Sequence, residues 1–352
     1  MSGKLKMDQI ATQTGYSVST VSRVLCGKSY TSEKAREAIV RCARKLGVLD
    51  ELATGRLLIN GIAVFAPART FTARGDIFYQ EVTRGIADAI EPHDVYLTFC
   101  GLEEQDADIK LFLEKANNKN INAIIIIGTD DSTVFKLATT LNKPCVLINT
   151  NDKERLLDAV SPDHRAIGFN AMRYLFEQGH RRVLCLTTLR RETLYARLDG
   201  IKEAYRRYHV PFNAQRDVIV TEGFSAEESE QALAQWLDET PRDQWPQVIF
   251  PGSTNMTLGV QKVLARYGLR VPEDISLITT DFHWQLDNEM AEPITSVTVP
   301  CRELGVEAVH LLQNRLNRQG TSVLNVLLQG KLQEGGTVSN ATRHTGRVAI
   351  ES

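Results

Sequence analysis

Beyond residue 60 the chain alternates short apolar runs with longer stretches of mixed polarity. The runs occupy residues 62–66, 95–99, 123–127 and 145–148, then 183–187, 248–250 and 275–279. Between them, residues 78–90, 135–141, 164–178, 194–208 and 254–267 repeat apolar side chains at helical spacing. Strand, helix and strand in that order predict parallel sheets covered by helices on both faces. The rhythm occurs in two successive sets with a break near Ser161-Pro162, which predicts two similar lobes.

Residues 1–47 follow another pattern. Ile10 and Ala11 share one face of a short helix, and Gly15 follows four residues after Ala11, where a sharp turn needs a residue tolerant of positive φ. Ser17 is placed to cap a second helix, whose Val21 and Val24 or Leu25 face inward. The small side chain of Ala11 lets the two helices cross closely. This is a helix-turn-helix arrangement, in which the second helix enters the DNA major groove. Thr31 or Ser32 caps a third helix with Ala35, Ile39, Cys42 and Leu46 as its apolar stripe, and Gly47 ends it.

Charge sharpens this division. Residues 1–49 hold nine lysines and arginines against three acids, a net of +6, so the rest of the chain carries −8 within an overall −2. A basic head on an acidic body predicts that the head alone meets a polyanion, although a solvated basic surface would look the same. With 43% hydrophobic and 24% charged residues, the composition is that of a globular chain, and its 352 residues predict more than one domain. No apolar run approaches the roughly 20 residues of a membrane helix, and residues 1–10 have no apolar signal segment. Six cysteines at positions 26, 42, 100, 145, 185 and 301 form no CxxC pair, which predicts reduced thiols and no metal site. The expectation is a cytoplasmic chain without membrane contact.

The string Gly15-Tyr-Ser-Val-Ser-Thr-Val-Ser-Arg-Val-Leu25, followed by Thr31-Ser-Glu-Lys-Ala-Arg-Glu37, resembles the headpiece of the LacI/GalR family of bacterial transcription regulators, with Tyr16 in place of the family's usual Val. The resemblance continues through Phe78–Ile86, Gly179-His-Arg-Arg, Ala196-Arg-Leu-Asp-Gly200, Val271-Pro-Glu-Asp-Ile275 and Pro293–Pro300. It implies a small all-α helix-turn-helix headpiece joined to an α/β periplasmic-binding-protein-like core of two doubly wound parallel-sheet lobes. The expected boundaries are 1–47 for the headpiece, 48–60 for a hinge linker and 61–352 for the core. Lobe 1 takes about 61–161 and 292–322, and lobe 2 about 162–291 and 323–345.

By the same resemblance Val18, Ser19 and Arg23 face base edges. Their chemistry suits the role: Arg can pair bidentately with guanine, Ser can donate or accept, and Val can touch a thymine methyl. The bland alternative for Arg23 is a phosphate contact. Lys4, Lys6, Ser17, Thr20 and Ser22 are expected on the DNA backbone, where contacts position without specifying. In the linker the resemblance implies paired hinge helices that wedge a leucine into the minor groove, with Leu57 as candidate and Leu58 as runner-up. The linker departs from the family pattern. Asp50-Glu51 replaces Pro-Asn, and Gly55 costs about 1 kcal/mol of helix stability relative to Ala. Residues 48–60 are expected to be the sole connection between head and core.

In the core, ligands of open α/β sheets bind beyond the carboxyl ends of the strands. Carried over residue by residue, the resemblance assigns Phe78, Tyr79, Asn149, Arg197, Phe224, Ser253 and Asp281 to a small-molecule effector in the cleft between lobes. Aromatic faces, an amide, a guanidinium and a carboxylate suit a sugar-like ligand. The alternatives are core packing for Phe78 and Phe224, a helix cap for Asp281 and a surface ion pair for Arg197. Arg190 and Arg191 would extend the range to a sugar acid or phosphosugar if both faced the ligand, but at least one is expected in solvent. Ser253-Thr254 and Thr280-Asp281-Phe282-His283 depart from the family's usual residues.

The functional expectation is a non-enzymatic, sequence-specific DNA-binding regulator of the repressor type. It would bind a palindromic double-stranded operator as a homodimer and respond to the effector. No cofactor and no metal are expected. Two rivals are a sugar-modifying enzyme with a basic extension and a solute-binding protein. Neither needs the headpiece, and GxGxxG after a strand, GxxxxGK[ST], HExxH and GxSxG are all absent.

Overall fold

The structure, a computed structural model, describes residues 3–26, 31–48, 59–71, 77–91, 93, 95–103, 107–280, 293–317 and 321–341. Three helices form the head: α1 (Gly3–Thr14), α2 (Val18–Leu25) and α3 (Glu33–Lys45). Gly15 sits at φ 73° and donates its N–H to the Ala11 carbonyl, closing α1. Ser17, in extended conformation, accepts from the Thr20 N–H and opens α2. Ser32 does the same for Ala35 at α3, and Gly47 at φ 65° ends that helix. Ile10, Val21, Leu25, Ile39 and Ala43 are buried together in the head's core. Full burial of an aliphatic side chain stabilises by about 1.5–3 kcal/mol, so these few residues hold the head together.

The described residues of the chain divide into two compact units, residues 1–161 with 301–326 and residues 162–300 with 327–352. The first contains a sheet of β1 (Gly61–Ala66), β2 (Tyr96–Gly101), β3 (Ala123–Ile127), β4 (Cys145–Ile148) and β5 (Asp158–Pro162), with β11 (Asn325–Leu328) beside β5. The order β11-β5-β4-β3-β1-β2 is doubly wound, and the four pairs from β5 to β2 are parallel. Its helices are α4 (Ile77–Ile90), α5 (Ile109–Ala116), α6 (Ser132–Thr140) and α12 (Cys301–Asn317). Every residue of β1 and β3 is buried, as expected of strands covered on both faces.

The second unit is built on β6 (Val183–Thr188), β7 (Val218–Thr221), β8 (Val248–Pro251), β9 (Ser276–Thr280), β10 (Thr295–Thr298) and β12 (Lys331–Gln333). Their order is β12-β10-β9-β8-β6-β7, parallel except for β12 against β10. The helices are α7 (His164–Glu177), α8 (Glu192–Arg207), the short α9 (Ala214–Asp217), α10 (Ala226–Glu239) and α11 (Thr254–Arg266).

Glycines allow helices to meet main chain to main chain in both units. A Cβ on Gly85 of α4 would lie 1.9 Å from the Arg302 carbonyl oxygen of α12, and one on Gly305 would lie 2.2 Å from that of Val82. In the second unit a Cβ on Gly168 of α7 would lie 2.3 Å from the Arg197 carbonyl oxygen, so the glycine sets the position of α8 at that residue.

Several elements go beyond the apolar-run pattern: β5, β7, β10, β11, β12, α5, α9 and α10. The head also contacts the rest of the first unit. Leu316 of α12 packs against the head's core, and the Arg44 guanidinium donates to the Leu316 carbonyl. Head and first unit therefore touch through side chains as well as being joined by the linker. An apolar residue near the end of α12, far away in sequence, gave no sign of this pairing.

Candidate nucleic-acid interface and effector site

The surface of α2 separates cleanly by chemistry. Val21, Val24 and Leu25 are buried, while Val18, Ser19 and Arg23 are exposed, Val18 to 38%. The Arg23 Nε donates to the Ser19 carbonyl at 3.3 Å, which steadies the guanidinium along the helix. At the start of α2 the Ser17 hydroxyl lies 2.9 Å from that of Ser19 and 2.8 Å from that of Thr20. Three hydroxyls thus ring a helix N-terminus, where the free N–H groups and the helix dipole favour an anion. Ser22 is half-buried and its hydroxyl reaches the Cys26 thiol, so it is less available than Ser17. Lys6 is half-buried on α1. The Lys4 side chain and the hinge residues Asp50, Glu51, Gly55, Leu57 and Leu58 lie outside the described residues.

In the first unit, Phe78 and Tyr79 open α4 with their rings edge to face at 5.3 Å, and the Arg69 guanidinium lies 5.7 Å over the Tyr79 ring. Tyr79 is buried and lines a cavity of about 180 Å³ with Val64, Ala66, Phe71, Phe99 and Ile127. Asn149 directly follows β4, is buried, and holds φ 52°. Asn tolerates that left-handed conformation better than most residues. Its main-chain N–H donates to Val160, which fixes it between the ends of β4 and β5.

In the second unit Arg197 is buried, which rules out the surface ion pair. Its Nη1 donates to the Gly252 carbonyl and to the Thr280 hydroxyl, each at 2.8 Å, and its Nη2 lies 3.0 Å from His164 Nδ1. An arginine donates but cannot accept, so the facing His164 Nδ1 carries no proton and the ring is neutral with its N–H at Nε2. Burial, then Arg197 and Arg191, hold the His164 pKa well below the usual histidine value. The guanidinium therefore knits together the carboxyl ends of β8 and β9 and the start of α7. Arg191 is buried and Arg190 exposed, as the pairwise expectation for that loop allowed. Phe224 is half-buried before α10. Ser253 is the N-cap of α11, accepting from the Met256 N–H at 3.3 Å, so part of its hydrogen-bonding capacity is spent on the helix. Asp281 lies outside the described residues.

Sequence reasoning missed His164, which is tied to Arg197, and three buried hydroxyls at strand ends of the first unit: Thr129, Thr150 and Ser161. For Thr129 and Thr150 the only signal is that a polar residue follows an apolar run, and Ser161 lies within β5, which no apolar run marks. Among the described residues no group of histidine, cysteine, aspartate or glutamate has a metal-binding arrangement, and no helix is long and apolar enough to cross a membrane.

Residues 6–48 match the family described as bacterial regulatory proteins, lacI family, and residues 172–338 match the periplasmic binding protein-like domain. The HTH-type transcriptional repressor CytR of Escherichia coli (strain K12) is 29% identical over 318 residues, covering 89% of this chain and 90% of that protein. Among solved structures, the lac repressor dimer bound to operator and the anti-inducer ONPF superposes with a TM-score of 0.67 at 20% identity, covering 94% of this chain and 98% of that one. A LacI family transcriptional regulator from Enterococcus faecium with bound ribose gives 0.67 at 20% identity, covering 80% and 99%. The chain thus carries a headpiece that matches the lacI family and a periplasmic binding protein-like domain, is similar to transcriptional repressors over most of its length, and shares the fold of the solved regulators.

Proposed function

We propose that this protein is a transcriptional repressor that binds a palindromic operator in double-stranded DNA as a homodimer and is released by a small sugar-like effector bound to its core. Val18, Ser19 and Arg23 read base edges, while Lys4, Lys6, Ser17, Thr20 and Ser22 hold the phosphates. Leu57 is the minor-groove wedge. The effector is held by Phe78, Tyr79, Asn149, Arg197, Phe224, Ser253 and Asp281. The protein works in the cytoplasm, where its DNA is, and performs no catalysis.

The observation that carries this reading is the exposed face of α2. Its outward residues are small, polar or basic, while its inward ones are wholly committed to the head's core. One such helix covers only a few base pairs, so two-fold pairing is the economical way to reach operator-level specificity. The operator-bound dimer of the lac repressor and the ribose-bound regulator of Enterococcus faecium support the assembly and the ligand class by likeness of fold. Selection of bound duplexes from a random-sequence library tests the reading. Enrichment of an inverted repeat is expected, and recovery of unenriched sequence contradicts it.

A further inference from the structure

The head meets the first unit with one helix and keeps another free. Leu316 of α12 joins the same apolar cluster as Val40, Leu46 and Val48, and its carbonyl accepts from the Arg44 guanidinium of α3. With that contact made, Val18, Ser19 and Arg23 of α2 remain exposed. The docked head therefore still presents its reading face. The contact does not mask DNA binding, and what it fixes is the direction in which α2 points.

The platform under the head is itself held firmly. Gly85 and Gly305 bring α4 and α12 main chain to main chain. At the end of α12 the Arg315 Nε donates to the Asp158 carboxylate at 2.7 Å, and the Leu324 N–H donates to the same carboxylate at 2.8 Å. Asp158 is buried, so shifting the end of α12 would strand a carboxylate away from water, which is strongly unfavourable. By contrast, ten residues of sequence separate Val48 in the head's core from the buried Ile59 of the first unit. Length alone does not make such a link a ruler. The root-mean-square span of a flexible chain that long is about 17 Å, about five base pairs at roughly 3.4 Å each.

We propose that Leu316 and Arg44 are positioning residues that fix the half-site spacing accepted by the dimer, by holding each head in one orientation on the end of α12. This rests on the reading of a dimer on a palindromic operator and deepens it. Each base pair added between half-sites moves one of them by roughly 3.4 Å and turns it by roughly 35° about the duplex axis. A docked head cannot follow both changes, whereas an undocked head follows them within the reach of its link. Leu316 separates positioning from DNA contact, because it lies in the first unit and its alkyl side chain cannot hydrogen-bond a phosphate or a base.

The test uses the full chain at one salt concentration. The inverted repeat recovered by selection is lengthened or shortened at its centre by one, two or three base pairs, and a duplex with a single half-site is measured alongside. The wild type should prefer one spacing. In Leu316→Asp the ratio of affinities between that spacing and one changed by two base pairs should fall about tenfold. Affinity for the single half-site should stay at the wild-type level, and Leu316→Met, which keeps the apolar contact, should retain the wild-type profile. An unchanged profile in Leu316→Asp overturns the proposal and leaves the operator reading standing. So does an equal loss on every duplex, the single half-site included, since Leu316 would then only stabilise the head. A Leu316→Met profile as flat as that of Leu316→Asp overturns the assignment to packing. A wild type indifferent to spacing overturns the positioning role, and failure to recover any inverted repeat overturns the operator reading itself.

Discussion

The Arg44 guanidinium in the last turn of α3 donates to the main-chain carbonyl of Leu316 in the last turn of α12. This bond joins the basic head to the first unit across 272 residues of sequence. A guanidinium at a helix C-terminus meets carbonyls that lack intrahelical partners, and it complements the helix dipole. Arg315, the preceding residue, forms an ion pair with the buried Asp158 at the start of β5 and also donates to the Thr321 and Ser322 carbonyls. The end of α12 is thus anchored on both sides, to the head and to the sheet.

Replacing the packed leucine should loosen the head without unfolding the core. In Leu316→Asp, amides of residues 42–48 should exchange with deuterium about tenfold faster than in the wild type, while those of β3 and β4 stay protected. Equal exchange in the two proteins would show that the contact contributes nothing to the head's order.

The glycine beneath Arg197 makes a second prediction. Gly168→Ala drives a methyl into the Arg197 carbonyl and should cost about 1–3 kcal/mol by overpacking, read from the denaturant midpoint. It should weaken effector binding as well, because α8 must shift to accommodate the methyl. An unchanged midpoint would mean that the two helices part without cost.

His164 and His180 both carry histidine pKa values lowered chiefly by burial, His164 the more strongly. The unfolded chain then binds protons that the folded chain refuses, so stability is full above the unfolded value of about 6.5 and falls as pH drops below it. Each histidine contributes at most about 1.4 kcal/mol per pH unit. Urea midpoints from pH 7.5 to pH 5 should decline in the wild type and decline less steeply in His164→Gln. The same slope in both would mean that His164 titrates normally in the fold.

Much of this architecture was legible because fully covered strands are uniformly apolar. The runs Ala-Ile-Ile-Ile-Ile at β3 and Cys-Val-Leu-Ile at β4 admit few other readings. β5, Asp-Ala-Val-Ser-Pro, is just as buried but polar at both ends, so its pattern is hidden by the very residues that carry the Arg315 pair and the Ser161 hydroxyl. α10 could have been found: Ser225 and Glu228 form a capping box at its start, a signal readable three residues apart. The inward residues of α2 were legible from helical spacing, while the outward Val18, Ser19 and Arg23 were named from the resemblance of the motif. The His164–Arg197 contact and the Arg44–Leu316 bond were not legible. Each joins residues distant in sequence, and no local periodicity encodes such pairs.

The central claim is that α2 reads base edges, and Arg23 tests it most directly. On the duplex recovered by selection, Arg23→Ala should lose about 1–3 kcal/mol of discrimination at one base pair per half-site. Its affinity for unrelated duplex should stay near that of the wild type. Lys6→Ala should instead weaken binding to every sequence and flatten the salt dependence. The deciding measurement is the ratio of operator to unrelated-duplex affinity for wild type and Arg23→Ala at one fixed salt concentration. A ratio that collapses for Arg23→Ala is the predicted result. Equal losses on both duplexes would make Arg23 a phosphate contact and contradict the account.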